Sequence, residues 1–406
     1  MSGGRVRWLH DWRAPGRDRS RMVELDVLRG VAILLVLFTH STVQPPDSGV
    51  LAPVLEYLRY LGPSGVDLFF VLSGFLVGGL LFKELRETGH LDVRRFLVRR
   101  GFKILPPYFT FVAFTFIWLL VRAHQTFLQS SRQIYPNLVH LQNYLGTPRP
   151  HTWSLAVEEH FYLVLPFVLL LLVRRAGGRD RLMTTIGLVS AVVFVACAGM
   201  RFQAYSHPLP YNPHYATHLR IDSLFFGVLL ACAYRLAPHR LAFVSAHRRT
   251  IVCAALALLL AYPALVRWNP STPTTGVVGF IVLYCAYGGL LLTMVCTAPG
   301  SGPARASAAA TWVDGRVGRT LAFIGYFSYP IYLWHIDATR LVAPLFKLGT
   351  GVSLELRWVV SFALYVFVAT AAGVVAAAIV DKPSLRARDR LFPSRTSLPV
   401  VARDVA

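Results

Sequence analysis

Charge is scarce in this chain, and acidic charge scarcer still: 15% of the 406 residues are charged, with 20 acidic against 41 basic. With 55% hydrophobic residues and a mean hydropathy of +0.51, this balance excludes an ordinary soluble domain. Cysteine is sparse too. Cys197, Cys232, Cys253, Cys285 and Cys296 are scattered through apolar stretches without a CxxC pair, which excludes a disulfide scaffold and leaves them as small hydrophobes. No internal repeat and no soluble domain is visible. No small-residue cleavage pattern follows the first apolar run, so no removed signal peptide is expected, and the arginine-rich residues 1–22 read as a cytoplasmic tail.

Long apolar runs are what the chain has in abundance. A helix needs about 20 apolar residues to cross a bilayer core of about 30 Å, and ten stretches approach this: 27–43, 65–82, 104–121, 153–173, 182–199, 221–234, 251–266, 276–296, 321–336 and 358–380. The first, sixth and ninth are the weakest, being short or interrupted by polar residues. None shows the alternation of a barrel strand, so the expected fold is all-α, a polytopic membrane bundle of about ten transmembrane helices. A net charge of +21 would suggest nucleic acid in a soluble protein, but here the basic residues lie between the apolar runs. Alternate connections carry 30 Lys and Arg on one side and 10 on the other, with Arg29 inside the first run. By the positive-inside bias both termini are cytoplasmic and the protein is multi-pass in the inner (plasma) membrane. No nucleic-acid partner is expected. The division read from this pattern is a basic tail 1–22, a membrane domain 23–383 and a basic tail 384–406.

Ionisable side chains at bilayer depth are costly, so each is a functional candidate, with an interhelical ion pair as the plain alternative. Arg29 and His40 are eleven residues apart, which places them on one helix face about 16 Å apart along the axis. Glu158 and Glu159 lie within two turns of the start of the fourth run, Asp67 opens the second, Arg220 and Asp222 open the sixth, and His335 closes the ninth. The reading is that these converge with His40 in one outer-leaflet layer. Arg29, Arg100 and Lys103 form an inner layer of positive charge suited to phosphate groups arriving from the cytoplasm. A histidine with a carboxylate is the minimal equipment for general-base activation of a hydroxyl. The same residues would also suit a secondary transporter. Ser73-Gly74 reads as close helix packing rather than a nucleophile, and Trp153 and Trp334 as interfacial belt residues.

Several segments, in order, resemble acyltransferase family 3, the bacterial multi-spanning O-acyltransferases. ELDVLRGVAILLVLFTH, 24–40, is similar to the opening helix, with Arg29 and His40 at its arginine-histidine spacing. GVDLFFVLSGFL (65–76), FLVRRGFKILPPY (96–108), WSLAVEEHFYLVLP (153–166), LRIDSLFFGVLLA (219–231), IGYFSYPIYLWH (324–335) and DKPSLR (381–386) resemble later signatures. Lys103 stands where a second arginine is common, offering a point charge instead of a planar fork, and His160 where glutamine is frequent. The resemblance implies transfer of an acyl group, commonly acetyl, from acyl-CoA as co-substrate to a hydroxyl of a glycan, glycolipid or small natural product. It implies no permanently bound cofactor and no metal. His40 would be the catalytic base, assisted by Glu158 or Glu159. Arg29, Arg100 and Lys103 would bind the donor, with Arg29 alternatively paired to Asp26. Asp67, Ser73, Arg220, Asp222 and His335 would form the acceptor pocket or its supporting network.

Overall fold

The computed structural model describes residues 22–41, 46–207, 209–268, 272–296, 313–344 and 352–393. Residues 1–21 and 394–406, most of the two expected tails, lie outside them. Among the described residues the structure is helical: α1 (Val23–Thr39), α2 (Ala52–Leu61), α3 (Gly65–Thr88), α4 (Val93–Val121), α5 (Phe127–Leu138), α6 (Gln142–Leu145), α7 (Trp153–Ala176), α8 (Arg179–Ser206), α9 (Ile221–Leu236), α10 (Ala242–Ala246), α11 (Arg248–Trp268), α12 (Phe280–Cys296), α13 (Arg316–Tyr326), α14 (Ser328–Val342), α15 (Leu354–Ala376) and α16 (Lys382–Leu391). Among the described residues each of the ten apolar runs falls on helix, the first only as far as Thr39.

Among the described residues, seven helical stretches are long and apolar enough to cross a bilayer, or eight if α9 and its continuation, bent by 112°, count as one span. The three weak runs are the ones that need help. α1 has 17 residues, α9 ends in that bend, and the run at 321–336 is two helices broken at Phe327. α1 also ends earlier than the apolar run, because His40 takes the C-cap position and folds its ring back on the Val36 carbonyl.

α3 is the central helix. Its apolar window is 78% buried, against 22% for α8 and for the stretch containing α15, whose exposed Val192, Val195 and Phe367 suit a lipid-facing girdle. α3 packs most extensively on α9, and glycine permits it: a methyl group on Gly74 would collide with the Leu224 carbonyl, and one on Gly227 with that of Val71. Gly325 does the same for α13 on α1, where the Asp26 carbonyl occupies the space of a Cβ. Small residues are the usual means of close helix approach in lipid, where no hydrophobic effect drives association.

Two buried ion pairs tie this centre together. Arg220 Nη2 lies 2.7 Å from Asp67 Oδ1 across α3 and the start of α9, and Arg201 Nη2 lies 2.6 Å from Asp222 Oδ2 across α8 and α9. Asp222 is 0% exposed.

Candidate functional site

A cavity of about 500 Å³ opens among α1, α3, α4, α7, α14 and α16. Along α3 it runs from Val66 to Leu80, about 21 Å of helix. One end is strongly basic. Arg29, Arg100, Lys103, Arg235, Lys382 and Arg388 line it, with Asp26, Glu158 and Asp381 as the acids. Arg29 is 3.8 Å from Asp26, one helical turn away on α1. The Arg100 guanidinium sits 3.8 Å from the centre of the Tyr162 ring, and its Nε is buried without a hydrogen-bond partner. Glu158 accepts a 2.6 Å hydrogen bond from Ser73 Oγ.

The other end is closed by hydroxyls. Ser154 Oγ donates to Tyr332 Oη at 2.7 Å, and Tyr332 Oη donates to the His151 carbonyl at 2.6 Å. The Tyr332 carbonyl in turn accepts from His335 Nδ1 at 2.6 Å, so one residue joins the cavity wall to a group of histidines beyond it. There the His40 ring meets His335 edge to face with centroids 4.9 Å apart, and His151 meets His335 at 5.0 Å.

The protonation pattern of that group follows from its carbonyls. A carbonyl oxygen only accepts, so His40 Nδ1, 3.0 Å from Val36 O, carries the proton and its Nε2 keeps a lone pair. His335 is likewise held through Nδ1, leaving a buried Nε2 without a partner, and His151 through Nε2 to Leu333 O, leaving a buried Nδ1. Neutral imidazoles with one nitrogen fixed as donor present the other as a base. Among the described residues no group of three or more His, Cys, Asp or Glu is placed to hold a metal ion.

The acyltransferase domain of family 3 matches residues 22–380. The chain belongs to this family. Among curated relatives, "Putative peptidoglycan O-acetyltransferase YrhL" of Bacillus subtilis (strain 168) is 28% identical over 349 residues, 81% of this chain and 50% of its own length. "O-acetyltransferase OatA" of Staphylococcus aureus (strain NCTC 8325 / PS 47) is 26% identical over 227 residues, 51% of this chain and 34% of its own. The chain thus spans about half the length of the first of these, or less of the second. No solved structure matches it.

The residues singled out from this family's signatures fall into separate places. Arg29, Arg100, Lys103, Ser73 and Glu158 line the cavity together. His40 and His335 stand together beyond its hydroxyl-closed end. Asp67, Arg220 and Asp222 belong to the ion pairs that tie α3, α8 and α9. Glu158 departs from the expectation of a shared layer with His40. It is six residues past Thr152, the N-cap of α7, and therefore about 9 Å further along the axis, which carries it away from His151 and among the cavity cations. For Glu159, one residue on, Arg100 is the main opposite charge.

Other members of the site were not singled out. Tyr162, Ser154, Tyr332, Lys382 and Arg388 line the cavity, and Arg149, buried, pairs with Asp337 at 2.9 Å. Tyr332 lies inside IGYFSYPIYLWH, so its signal was present. Its role as a link depends on contacts with α7 that no local pattern contains. The two tryptophans are aromatic packing partners: Trp153 stacks on Tyr215 at 4.9 Å, and Trp334 meets Phe111 at 5.2 Å. His160 bonds Thr217 Oγ1 at 2.7 Å through Nδ1.

Proposed function

We propose that this family member is an integral-membrane O-acetyltransferase that moves an acetyl group from acetyl-CoA to a hydroxyl of a cell-envelope glycan such as peptidoglycan. The observation that carries the reading is a cavity, basic at one end, whose hydroxyl-lined far end is joined through Tyr332 to His335, and through the His335 ring to His40, whose Nε2 is a free basic nitrogen. The acceptor class comes from the Bacillus subtilis relative, whose name specifies peptidoglycan. With both termini cytoplasmic, in accord with α1 and α16 meeting at the basic end, the donor enters from the cytoplasm and the histidines face the opposite side.

In this mechanism Arg29, Arg100 and Lys103 hold the donor's phosphates and the thioester extends toward Tyr332. His40 Nε2 takes the acceptor's hydroxyl proton as its oxygen attacks the thioester carbonyl carbon. The C–S bond then breaks, and the departing thiolate takes up the proton held on His40. Glu158 acts from the donor cavity, holding Ser73 and balancing the cations, and not as a direct partner of His40.

The test is transfer by the purified full chain in lipid nanodiscs, with radiolabelled acetyl-CoA and muropeptides as acceptor. Label on the sugar that is lost in His40→Ala supports the reading. Substrate uptake into liposomes with no covalent transfer would establish a transporter instead.

A further inference from the structure

The cavity's basic end is completed by α16, the polar helix that continues the last apolar stretch. On α16, Lys382, Leu385 and Arg388 line the cavity at i, i+3 and i+6, a stripe along one side of the helix. α16 leaves α15 through a wide, π-type turn at Ala377–Asp381 and is fastened to the start of α4. Ser384 Oγ donates to the Phe102 carbonyl at 2.5 Å, Arg99 Nη2 reaches Asp389 at 3.2 Å, and the Arg95 and Arg99 guanidiniums donate to the Pro393 and Phe392 carbonyls. Arg388 is oriented by the same acid, with Nε and Nη2 each 2.9 Å from the Asp389 carboxylate. Two guanidiniums on one carboxylate leave this cluster net positive.

The basic end therefore holds two groups of cations, one on α1 and α4 and one on α16, with Arg235 of α9 as a further one. Six basic side chains face three acids. Of those acids Asp26 is engaged by Arg29 and Glu158 by Ser73, while Asp381 keeps a buried Oδ1 without a hydrogen-bond partner. Arg100 Nε and Arg235 Nε are buried donors without partners, which points to an acceptor-rich ligand in this space.

We propose that Lys382 and Arg388 form a second anion subsite, which binds a phosphomonoester on the donor while Arg29, Arg100 and Lys103 bind its diphosphate. This rests on the acyl-CoA reading and makes α16 the determinant that separates CoA thioesters from donors lacking the extra phosphate. Guanidinium and ammonium groups are the side chains suited to a phosphate dianion.

The experiment compares acetyl-CoA with acetyl-dephospho-CoA on the full chain in zwitterionic nanodiscs, reading both kcat/KM and the rise in melting temperature on adding CoA or dephospho-CoA. Wild type is expected to prefer acetyl-CoA by about tenfold or more, through KM. The preference should collapse toward one in Arg388→Ala and in Lys382→Ala, and return in part in Arg388→Lys. The melting-temperature difference between the two ligands should vanish in parallel. An equal loss with both donors would make α16 a structural wall only, and a wild-type preference of one would remove the subsite; either overturns the proposal while the donor reading stands. Stabilisation of the wild type by phosphatidic acid but not by CoA, abolished in Arg388→Ala, would assign the subsite to a lipid phosphate and overturn it as well. Wild type that transfers from neither donor would overturn the donor reading itself, and the subsite with it.

Discussion

The rings of His40 and His335 meet edge to face, 4.9 Å between centroids, and each donates its Nδ1 proton to a backbone carbonyl one turn or less earlier in its own chain segment. Each therefore keeps Nε2 as the basic nitrogen, His40 at the C-cap of α1 and His335 on α14, the helix that follows α13 after the break at Phe327.

His40→Ala should lower kcat by about 10²–10⁴-fold, the range for a lost general base. His335→Asn, which cannot offer a second basic ring, should lower kcat with little change in the donor's KM. Steady-state kinetics at saturating acceptor check both, with melting temperature confirming the fold. Wild-type turnover in His40→Ala would remove this histidine from the chemistry.

Glu158 bonds Ser73 among the cavity cations, so Glu158→Gln should alter the donor's KM and leave the pH dependence of kcat as in wild type. Ser73→Ala should cost about 1 kcal/mol of whatever that hydrogen bond supports. Disappearance of the titration in kcat upon Glu158→Gln would show instead that this carboxylate is coupled to the base.

The Arg201–Asp222 pair is fully buried, at 1% and 0% exposure. Breaking such a pair strands an uncompensated charge, and Asp222→Ala should destabilise the fold by about 3–5 kcal/mol. Replacing both partners, as in Arg201→Met with Asp222→Leu, should recover much of that loss. Thermal melts in detergent order the variants; a double variant no better than Asp222→Ala would contradict this account.

His140 lies in the connection between α5 and α6, its ring stacked on Tyr108 at 4.7 Å and both ring nitrogens buried without partners. Burial lowers its pKa from 6.5 to about 4, with His160 adding to the effect. Above pH 6.5 it is neutral whether the chain is folded or not, and contributes no pH dependence. As pH falls from 6.5 to 4 the unfolded chain takes up a proton that the folded chain refuses, so stability declines across that window. Melting temperature should fall over this range, and less steeply in His140→Phe. Identical slopes for the two proteins would count against it.

Hydropathy was enough to find the helices, because burying a backbone in lipid demands a long apolar run whatever the neighbours are. It was less able to say which runs stay whole. The bend after α9 falls at Pro238, and Pro330, which has no N–H to give the Tyr326 carbonyl, follows the break at Phe327, so prolines and not hydropathy mark both; α5, α6 and α16 are helices whose apolar content is too low to appear as runs.

For the site, the sequence by itself determined the inventory: a family-specific arginine and histidine on one helix, a surplus of basic residues toward one side, and carboxylates inside apolar helices. Composition and spacing along a single helix carry that much, since 1.5 Å per residue converts separation into depth. Only tertiary structure decided the grouping. Glu158 left the histidines for the cations, Asp67 and Asp222 found arginines, and α16, continuing α15, came to wall the cavity. Which charges meet across helices depends on rotation and crossing, set by where Gly74, Gly227 and Gly325 let backbones touch, and those contacts join residues up to hundreds of positions apart.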